Sequence, residues 1–338
     1  MSTANTAATT NTTTTTAAES TMMATTNSIT ENVVHEEGLH TKLDRIFSTP
    51  SAPGVAYSLE IAAKDDFDVG LLERLVPQPV FCSLPWISDD NLRYSDDFLR
   101  APTMQLSAQL RSAHYTVVNH VSCYNITEHQ VDGLLASGVQ NLFVVRGDTV
   151  QEEQKFQHSA SLVHYLRKRQ QESTLPPRLT IGVGGYPYGH HQSSSQAQEL
   201  AYLREKIDHG VDFLLTQTLY DAGSFFRCRD RCRQAGITIP IIPGIYLPHS
   251  YRHLQVMLRL TRITLTPEVD AAFAAHADDP PEQFEAFVLD HFAGVLRELL
   301  EPNRTSSADA IKLVHFFSFN KFPLIQKMLQ KLDDFFLQ

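Results

Sequence analysis

The 338-residue chain predicts a (β/α)8 barrel, a TIM-barrel α/β fold, from three observations. Short apolar runs rich in β-branched residues alternate with helical segments about eight times, as in parallel strands covered by helices. Several runs end abruptly in polar residues, as at Asn141–Asp148 (NLFVVRGD), and barrel enzymes carry their chemistry at the carboxyl ends of strands. No Gly-x-Gly-x-x-Gly motif opens a helix after the first strand, which argues against a doubly wound sheet.

Strands and helices are predicted in strict alternation along most of the chain. Each strand is predicted from a short apolar run, as in Gly54–Ile61 (GVAYSLEI), and each helix from apolar residues three or four apart. Thr127 is predicted to cap the helix after the third strand, and Gly236 to end the helix after the sixth. The predicted strands are 54–61, 80–84, 115–121, 141–145, 178–183, 211–216, 239–245 and 310–317. The predicted helices are 33–47, 66–75, 103–111, 128–137, 156–170, 195–209, 222–234, 251–260 and 322–336, with an extra helical pair, 267–276 and 283–299, before the last strand.

Composition and charge argue against two classes of protein. The net charge of -10 and the isoelectric point near 5.8 disfavour nucleic-acid binding, which needs clustered lysine and arginine. No apolar run reaches the roughly 18–20 residues of a membrane span, so no membrane contact is predicted. Residues 1–31 are rich in threonine and alanine and are predicted to form a disordered tail, because they have too few large apolar side chains to offset the entropy of ordering. Residues 32–338 are predicted to form the barrel.

The four cysteines are Cys82, Cys123, Cys228 and Cys232, and they follow no disulfide or zinc-ribbon spacing. Cys228 and Cys232 lie four residues apart on a predicted helix and can share a face, but no His or Cys pair nearby would complete a metal site. Reduced thiols are the simpler interpretation, and they favour a cytoplasmic protein. The sequence leaves the oligomeric state open, with a homo-oligomer among the alternatives.

Polar residues on the first, third and fourth strands are candidate site residues. Glu60 lies in an apolar run, where burial would raise the pKa of its carboxyl group and suit it to general acid chemistry. A salt-bridged or outward-facing glutamate is the alternative. His120 is as often a satisfied core residue as a functional one. Arg146–Asp148 (RGD) alone is more often a solvated turn, but several other strands also end in polar residues, which favours a functional role for this one.

The fifth and sixth strands end in residues suited to a planar ligand. Tyr186 follows two glycines and can stack on a ring, and Gln217 offers an amide that matches the edge of a heterocycle. His190 and His191, together with His120, raise the alternative of a metal site. A binuclear barrel hydrolase would need a His-x-His pair on the first strand, which this chain lacks, so no metal is predicted.

Six short motifs occur in a fixed order between about Val55 and Asp334. They are His120–Cys123 (HVSC), similar to His-Leu-Thr-Cys; Asn141–Asp148, ending in Arg-Gly-Asp; Tyr186–His190, similar to Tyr-Pro-x-x-His; Leu203–Asp212, similar to Leu-Lys-x-Lys-x-x-x-Gly-Ala; Thr216–Asp221, similar to Thr-Gln-x-x-x-Asp; and Ile242–Ile245, Ile-Pro-Gly-Ile. Each motif is weak alone, but their joint order is specific. Together they resemble the methylenetetrahydrofolate reductase family, the flavin barrels of one-carbon metabolism.

The resemblance implies an FAD-dependent reduction of 5,10-methylenetetrahydrofolate to 5-methyltetrahydrofolate with NADH or NADPH, by ping-pong hydride transfer through the flavin, in one-carbon and methionine metabolism. It implies that Glu60 is the general acid that helps to open the methylene bridge. Asp148 would lie by the flavin pyrimidine and the pterin, and Gln217 and Lys321 would contact the folate. The residues implied for FAD binding are His120, Arg146, Gly147, Asp148, Tyr186, His190 and Lys206.

The chain departs from the family pattern around the flavin. Pro85–Asp89 (PWISD) replaces Thr-Trp-Gly-Ala-Gly, so the glycines that let this loop approach FAD are absent. Glu199, Tyr202 and Glu205 replace Asp, Asn and a basic residue, and the loss of a basic group near a diphosphate weakens its binding. These differences favour an alternative: a non-catalytic relative that has lost tight FAD binding and acts as a folate-binding or protein-interaction barrel.

Overall fold

Eight parallel strands close into a barrel in the order of the chain, which confirms the predicted fold class. The computed structural model describes residues 38–48, 54–64, 67–86, 89–147, 149–172, 178–301 and 310–336. The predicted tail and Asp148 therefore lie outside the described residues. The strands are β1 (Ala56–Glu60), β2 (Cys82–Leu84), β3 (Val117–Ser122), β4 (Asn141–Val145), β5 (Thr180–Gly185), β6 (Phe213–Leu219), β7 (Ile241–Ile245) and β8 (Leu313–Phe317).

Helices follow the strands at nearly all of the predicted positions, and the extra pair before β8 is present. Thr127 forms a full capping box with Gln130, as its position predicted, and Gly236 ends its helix with φ 77°. The helices are α1 (Leu39–Ser48), α2 (Gly70–Glu73), α3 (Asp90–Arg93), α4 (Pro102–Ser112), α5 (Glu128–Ala136), α6 (Ser159–Glu172), α7 (Gln196–Asp208), α8 (Ala222–Gln234), α9 (Tyr251–Thr261), α10 (Pro267–Ala274), α11 (Pro281–Leu300) and α12 (Phe322–Lys331).

Strand β6 continues three residues beyond its predicted end at Thr216. Its register against β7 shifts between Leu215 and Thr218, and two hydroxyl groups bridge the irregularity. The Thr216 hydroxyl accepts from the Gly244 N–H at 2.9 Å, and the Thr218 hydroxyl accepts from the Tyr246 N–H at 3.0 Å. Side-chain oxygens thus replace backbone acceptors, and β6 stays attached to β7 through the residues that include Gln217.

Several further boundaries differ from the prediction. Strand β5 continues through Gly184 and Gly185, which pair with Leu215 and Thr216 of β6 despite the low strand preference of glycine. The stretch after β2, predicted to be irregular, contains the short helix α3. Helix α12 ends at Lys331 rather than at residue 336, and α2 covers only part of 66–75.

Helix α1 closes the amino-terminal end of the barrel. Leu39 and Leu43 are buried in one cluster with residues from the beginnings of several strands, among them Ala56, Phe81 and Leu313. A second, larger cluster fills the layer between the sheet and the outer helices. The carboxyl-terminal end of the barrel is thus the end left for a site, as in other folds of this class.

Candidate active site

Glu60 is the last residue of β1 and lies level with Phe317 of β8 and Ser83 of β2. Ala56 and Ser58, four and two residues earlier, face the barrel interior, so the alternation of the strand directs Glu60 into the same space. The carboxylate makes no hydrogen bond or ion pair with any of the described residues. Burial raises the pKa of Glu60 to about 7, so a large share of it is protonated at neutral pH.

One of the two strand ends beside Glu60 is apolar, because Phe317 of β8 pairs with Glu60 and places an aromatic ring there. Its ring packs so closely on Gly244 of β7 that a Cβ atom there would lie 2.5 Å from it. The glycine of the Ile-Pro-Gly-Ile motif thus makes room for this ring. We call this part of the site, formed by Glu60 and Phe317, the barrel mouth.

The backbone at Glu60 and at Ala62, two residues after it, is held by the loop after β8. The Ser318 hydroxyl donates to the Glu60 carbonyl at 2.5 Å. The Asn320 side chain pairs with Ala62 twice: it accepts from the Ala62 N–H at 3.0 Å and donates to the Ala62 carbonyl at 2.9 Å. Asn320 adopts φ 62°, a left-handed conformation that asparagine tolerates better than most residues. The polar strand end Ser318–Asn320 was visible in the sequence, but this positioning role was not predicted.

His120 lies on β3 inside the barrel, with its ring 4.8 Å from that of Phe143. It is buried, and its Nε2 atom has no hydrogen-bond partner among the described residues. Burial lowers the pKa of His120 to about 3, so the ring is neutral. His315 of β8 is also neutral and buried, but its Nδ1 is 2.8 Å from the Ser58 hydroxyl. His120 Nε2 is thus one of several buried side-chain atoms among the described residues that lack a hydrogen-bond partner, and it is the one that belongs to a predicted cofactor residue.

Four of the residues predicted for FAD binding line a single cavity beside the barrel. They are Arg146, Tyr186, His190 and Lys206, which come from the ends of β4 and β5, the following loop and α7. His158, directly before α6, and the first two residues of α6, Ser159 and Ala160, complete the wall of this cavity, whose volume is about 160 Å³. We call this space the side cavity.

The other residues predicted at the flavin stand elsewhere. His120 is not part of the side-cavity wall. Gly147 follows Arg146 directly and has φ 88°, a left-handed conformation that glycine adopts at little energetic cost. Asp148 lies outside the described residues.

The side cavity brings two cations and two carboxylates together. Arg146 donates a short hydrogen bond to the Gln192 side-chain carbonyl. Burial lowers the pKa of Lys206 and the charge of Arg146 lowers it further, while Glu199 and Glu205 act in the opposite direction. Glu199 is partly buried, which raises the pKa of its carboxyl group, and it accepts from the His190 N–H at 3.2 Å. The positive charges favour binding of a phosphorylated ligand, and the negative charges of the carboxylates oppose it.

Two of the residues predicted to contact folate, Gln217 and Lys321, lie elsewhere at the carboxyl-terminal end of the barrel, on β6 and after β8. Gln217 is in the irregular part of β6, partly exposed, and its side-chain oxygen accepts from the Thr218 N–H at 2.8 Å. Lys321 is exposed just before α12, and its charge contributes to lowering the pKa of His249, after burial and His253. Neither residue lines the side cavity.

A hydrogen-bond cluster that the sequence did not reveal joins the loop after β5 to the end of β6. The Tyr188 hydroxyl donates to the Asp221 carboxylate at 2.9 Å and accepts from the Tyr220 N–H at 2.9 Å. Asp221 also caps α8, because its carboxylate accepts from the Ser224 N–H at 2.7 Å. Tyr188 thus ties the loop that carries Tyr186 to the strand that carries Gln217.

The residues that the structure describes contain neither a metal-binding cluster nor a membrane-spanning helix. No group of three or more His, Cys, Asp or Glu side chains there is arranged to hold a metal ion. No helix in the same residues is long and apolar enough to cross a membrane.

Residues 71–333 match the family model of methylenetetrahydrofolate reductase. The chain belongs to this family. It is 27% identical over 275 residues to methylenetetrahydrofolate reductase (NADH) 1 of Arabidopsis thaliana, an alignment that covers 74% of this chain and 42% of that protein. It is 27% identical over 207 residues to 5,10-methylenetetrahydrofolate reductase of Pectobacterium carotovorum, covering 60% of this chain and 64% of the relative. The chain thus spans less than half the length of the plant relative.

Proposed function

We propose that the protein reduces 5,10-methylenetetrahydrofolate to 5-methyltetrahydrofolate, with FAD as bound cofactor and NADH or NADPH as the hydride donor. The observation that carries the proposal is Glu60, a carboxyl group without a described partner, in apolar surroundings, with its pKa raised to about 7. Family membership supports the substrate class. The names of the relatives include NADH and NADPH enzymes, so both donors stay open.

The residues of the site fit a flavin dinucleotide. The buried Nε2 of His120 lacks a partner among the described residues and can accept or donate one hydrogen bond to a ligand. Arg146 and Lys206, with the amino-terminal turn of α6, form a wall suited to a diphosphate. When bound, FAD supplies the hydride carrier, which no side chain of the protein can replace.

The protein's own residues supply a proton donor and hold that donor and the substrate in place. Glu60 holds a proton on its carboxyl group near neutral pH and gives it to the nitrogen released when the methylene bridge opens. Ser318 and Asn320 fix the backbone beside Glu60, so the proton donor keeps its place during turnover. Gln217 presents an amide to the folate ring, and Lys321 a cation to its acidic end.

The test is the visible absorption spectrum of the purified protein under anaerobic conditions. The proposal expects flavin bands that bleach on addition of NADH or NADPH and return on addition of methylenetetrahydrofolate. Bands that bleach but do not return would support the flavin cofactor and exclude methylenetetrahydrofolate as the substrate. A colourless protein that takes up no added FAD would reject the reductase.

One observation favours a second candidate, a non-catalytic barrel that binds folate or a protein partner. Glu199 and Glu205 line the side cavity together with its two cations, and their charge opposes binding of a diphosphate. This candidate predicts folate binding, measured by calorimetry, in a protein that takes up no FAD. Its cytoplasmic location, like that of the reductase, stays a prediction, as does its oligomeric state.

A further inference from the structure

Two of the four free cysteines contact each other on helix α8. Cys228 and Cys232 are four residues apart, so their side chains lie on the same face of the helix, and both are buried. The Cys228 thiol donates a hydrogen bond to the Cys232 sulfur. The other two cysteines lie elsewhere: Cys82 is on β2, and Cys123 follows β3 directly.

The two thiols of the pair have unequal surroundings. The hydrogen bond from Cys228 lowers the pKa of Cys232; burial opposes this, and the charges of Arg233 and Arg231 lower the pKa further. The same hydrogen bond, together with burial, raises the pKa of Cys228. Cys232 is therefore the better nucleophile, because the thiolate is the reactive form, while Cys228 keeps its proton.

Both thiols line a small cavity between α7 and α8, which we call the helix cavity. Its wall also contains Arg231 and Glu199, so a charged pair lies beside the two sulfurs. The volume of about 20 Å³ is enough for one molecule of the size of water or hydrogen peroxide, and too small for a larger ligand. Tyr186 and Glu199 line the side cavity as well, so the two cavities adjoin.

We propose that Cys228 and Cys232 form a reversible oxidation site for hydrogen peroxide, with Cys232 as the attacking residue and Cys228 as the resolving residue. The Cys232 thiolate attacks one peroxide oxygen and the O–O bond breaks. The other oxygen takes up a proton and leaves as water, so Cys232 becomes a sulfenic acid. This inference does not depend on the proposed flavin and folate chemistry.

The second step forms the disulfide. The Cys228 sulfur attacks the Cys232 sulfur, the S–O bond breaks, and the proton of Cys228 leaves with the hydroxide as a second water. Two thiols are thus oxidised to one disulfide while one peroxide is reduced to two waters.

The helix makes this disulfide easy to reduce again. Cβ atoms four residues apart on a helix are separated by about 5–6 Å, whereas a disulfide needs about 3.8 Å. Helix α8 must therefore deform between Cys228 and Cys232 when the bond forms, and a strained disulfide is readily reduced. Exposure to a dithiol should restore both thiols.

The experiment treats the reduced full-length protein with hydrogen peroxide and removes the excess with catalase. Alkylation under denaturing conditions, followed by intact mass spectrometry, counts the thiols that remain. We expect the count to fall from four to two without a covalent dimer, and dithiothreitol to return it to four. Cys82 and Cys123 should stay reduced, because burial raises the pKa of each to about 12.

Three variants assign the two roles. Cys232→Ser should react with peroxide about tenfold more slowly, since it lacks the nucleophile. Cys228→Ser should stop at a sulfenic acid on Cys232, which dimedone labels. Cys82→Ser is the matched control, because it removes a buried thiol outside the helix cavity and should form the disulfide at the wild-type rate.

Several results would overturn the inference. They are a wild-type protein that keeps all four thiols, oxidation of Cys82 and Cys123 as fast as that of the pair, and a disulfide between two protein molecules. Wild-type rates in Cys232→Ser would also overturn it. The wild-type protein alone decides the first three results, so they hold even if a variant does not fold.

Discussion

The barrel mouth and the side cavity are built in opposite ways. The mouth is formed by strand ends, is apolar, and holds one carboxyl group whose pKa is raised by burial. The side cavity is formed by loops and helices and holds charges of both signs, Arg146 and Lys206 against Glu199 and Glu205. The proposed acid, Glu60, is the last residue of a strand, so the closed sheet fixes its position. The side-cavity residues that depart from the pattern the sequence resembles, Glu199, Tyr202 and Glu205, lie on a helix instead.

The largest expected effect is that of Glu60→Gln, which removes the proton donor and keeps the shape of the mouth. We expect reoxidation of the reduced flavin by methylenetetrahydrofolate to slow by about 100-fold or more. Reduction of the flavin by NADH or NADPH and the affinity for FAD should stay as in wild type. Stopped-flow absorbance resolves the two half-reactions. Unchanged folate reduction in this variant would remove Glu60 from the chemistry.

Lys206→Met tests the role of the side cavity in binding FAD. Loss of a charge-assisted contact to a phosphate should weaken FAD binding by about 10- to 100-fold. Lys168→Met is the matched control, because Lys168 is exposed on α6 and lies outside the cavity wall. Flavin fluorescence measures both affinities. If the two variants lost FAD equally, overall charge rather than the side cavity would govern binding.

The raised pKa of Glu60 also predicts a dependence of stability on pH. The folded protein holds this proton up to about pH 7, whereas the unfolded chain releases it near the ordinary value of 4.5. The native state therefore binds more protons between these values, and stability falls as the pH rises through this window. Glu60→Gln should be more stable than wild type at pH 8, by up to about 3 kcal/mol, and nearly equal to it at pH 4.

Urea unfolding of both proteins at the two pH values measures this difference. A constant difference between wild type and Glu60→Gln across the pH range would mean that the mouth does not desolvate the carboxyl group.

The smallest effect is expected from Tyr188→Phe, which removes the link between the two regions. The Tyr220 N–H loses its acceptor and Asp221 loses a donor, at a cost of about 1–2 kcal/mol in stability. Because Tyr188 holds the loop of the side cavity against β6, both FAD affinity and folate reduction should fall a few-fold. Tyr251→Phe is the control, since the Tyr251 hydroxyl has no hydrogen bond to any residue within the described ranges. A change confined to one region would show that the two are not coupled through Tyr188.

The barrel could be predicted from the sequence because each strand is a continuous apolar run that is recognisable from its own residues. The prediction ended β6 too early, because the continuation depends on hydroxyl groups that bond to β7 and not on the apolar character of β6. The residues of the side cavity came from a resemblance, since nothing local in the chain shows that Arg146 and Lys206 meet. The pairing of Asn320 with Ala62 joins residues 258 positions apart and exists only once β8 closes on β1.

The most direct test of the central claim is the pH dependence of folate reduction in a single turnover. Protein with reduced flavin is mixed with methylenetetrahydrofolate, and the rate of flavin reoxidation is recorded from about pH 5 to pH 9, a range that brackets the raised pKa of Glu60. The account predicts a rate that falls as the pH rises through about 7, because Glu60 must be protonated to act as an acid. A rate that does not change with pH, or that rises through this range, would contradict it.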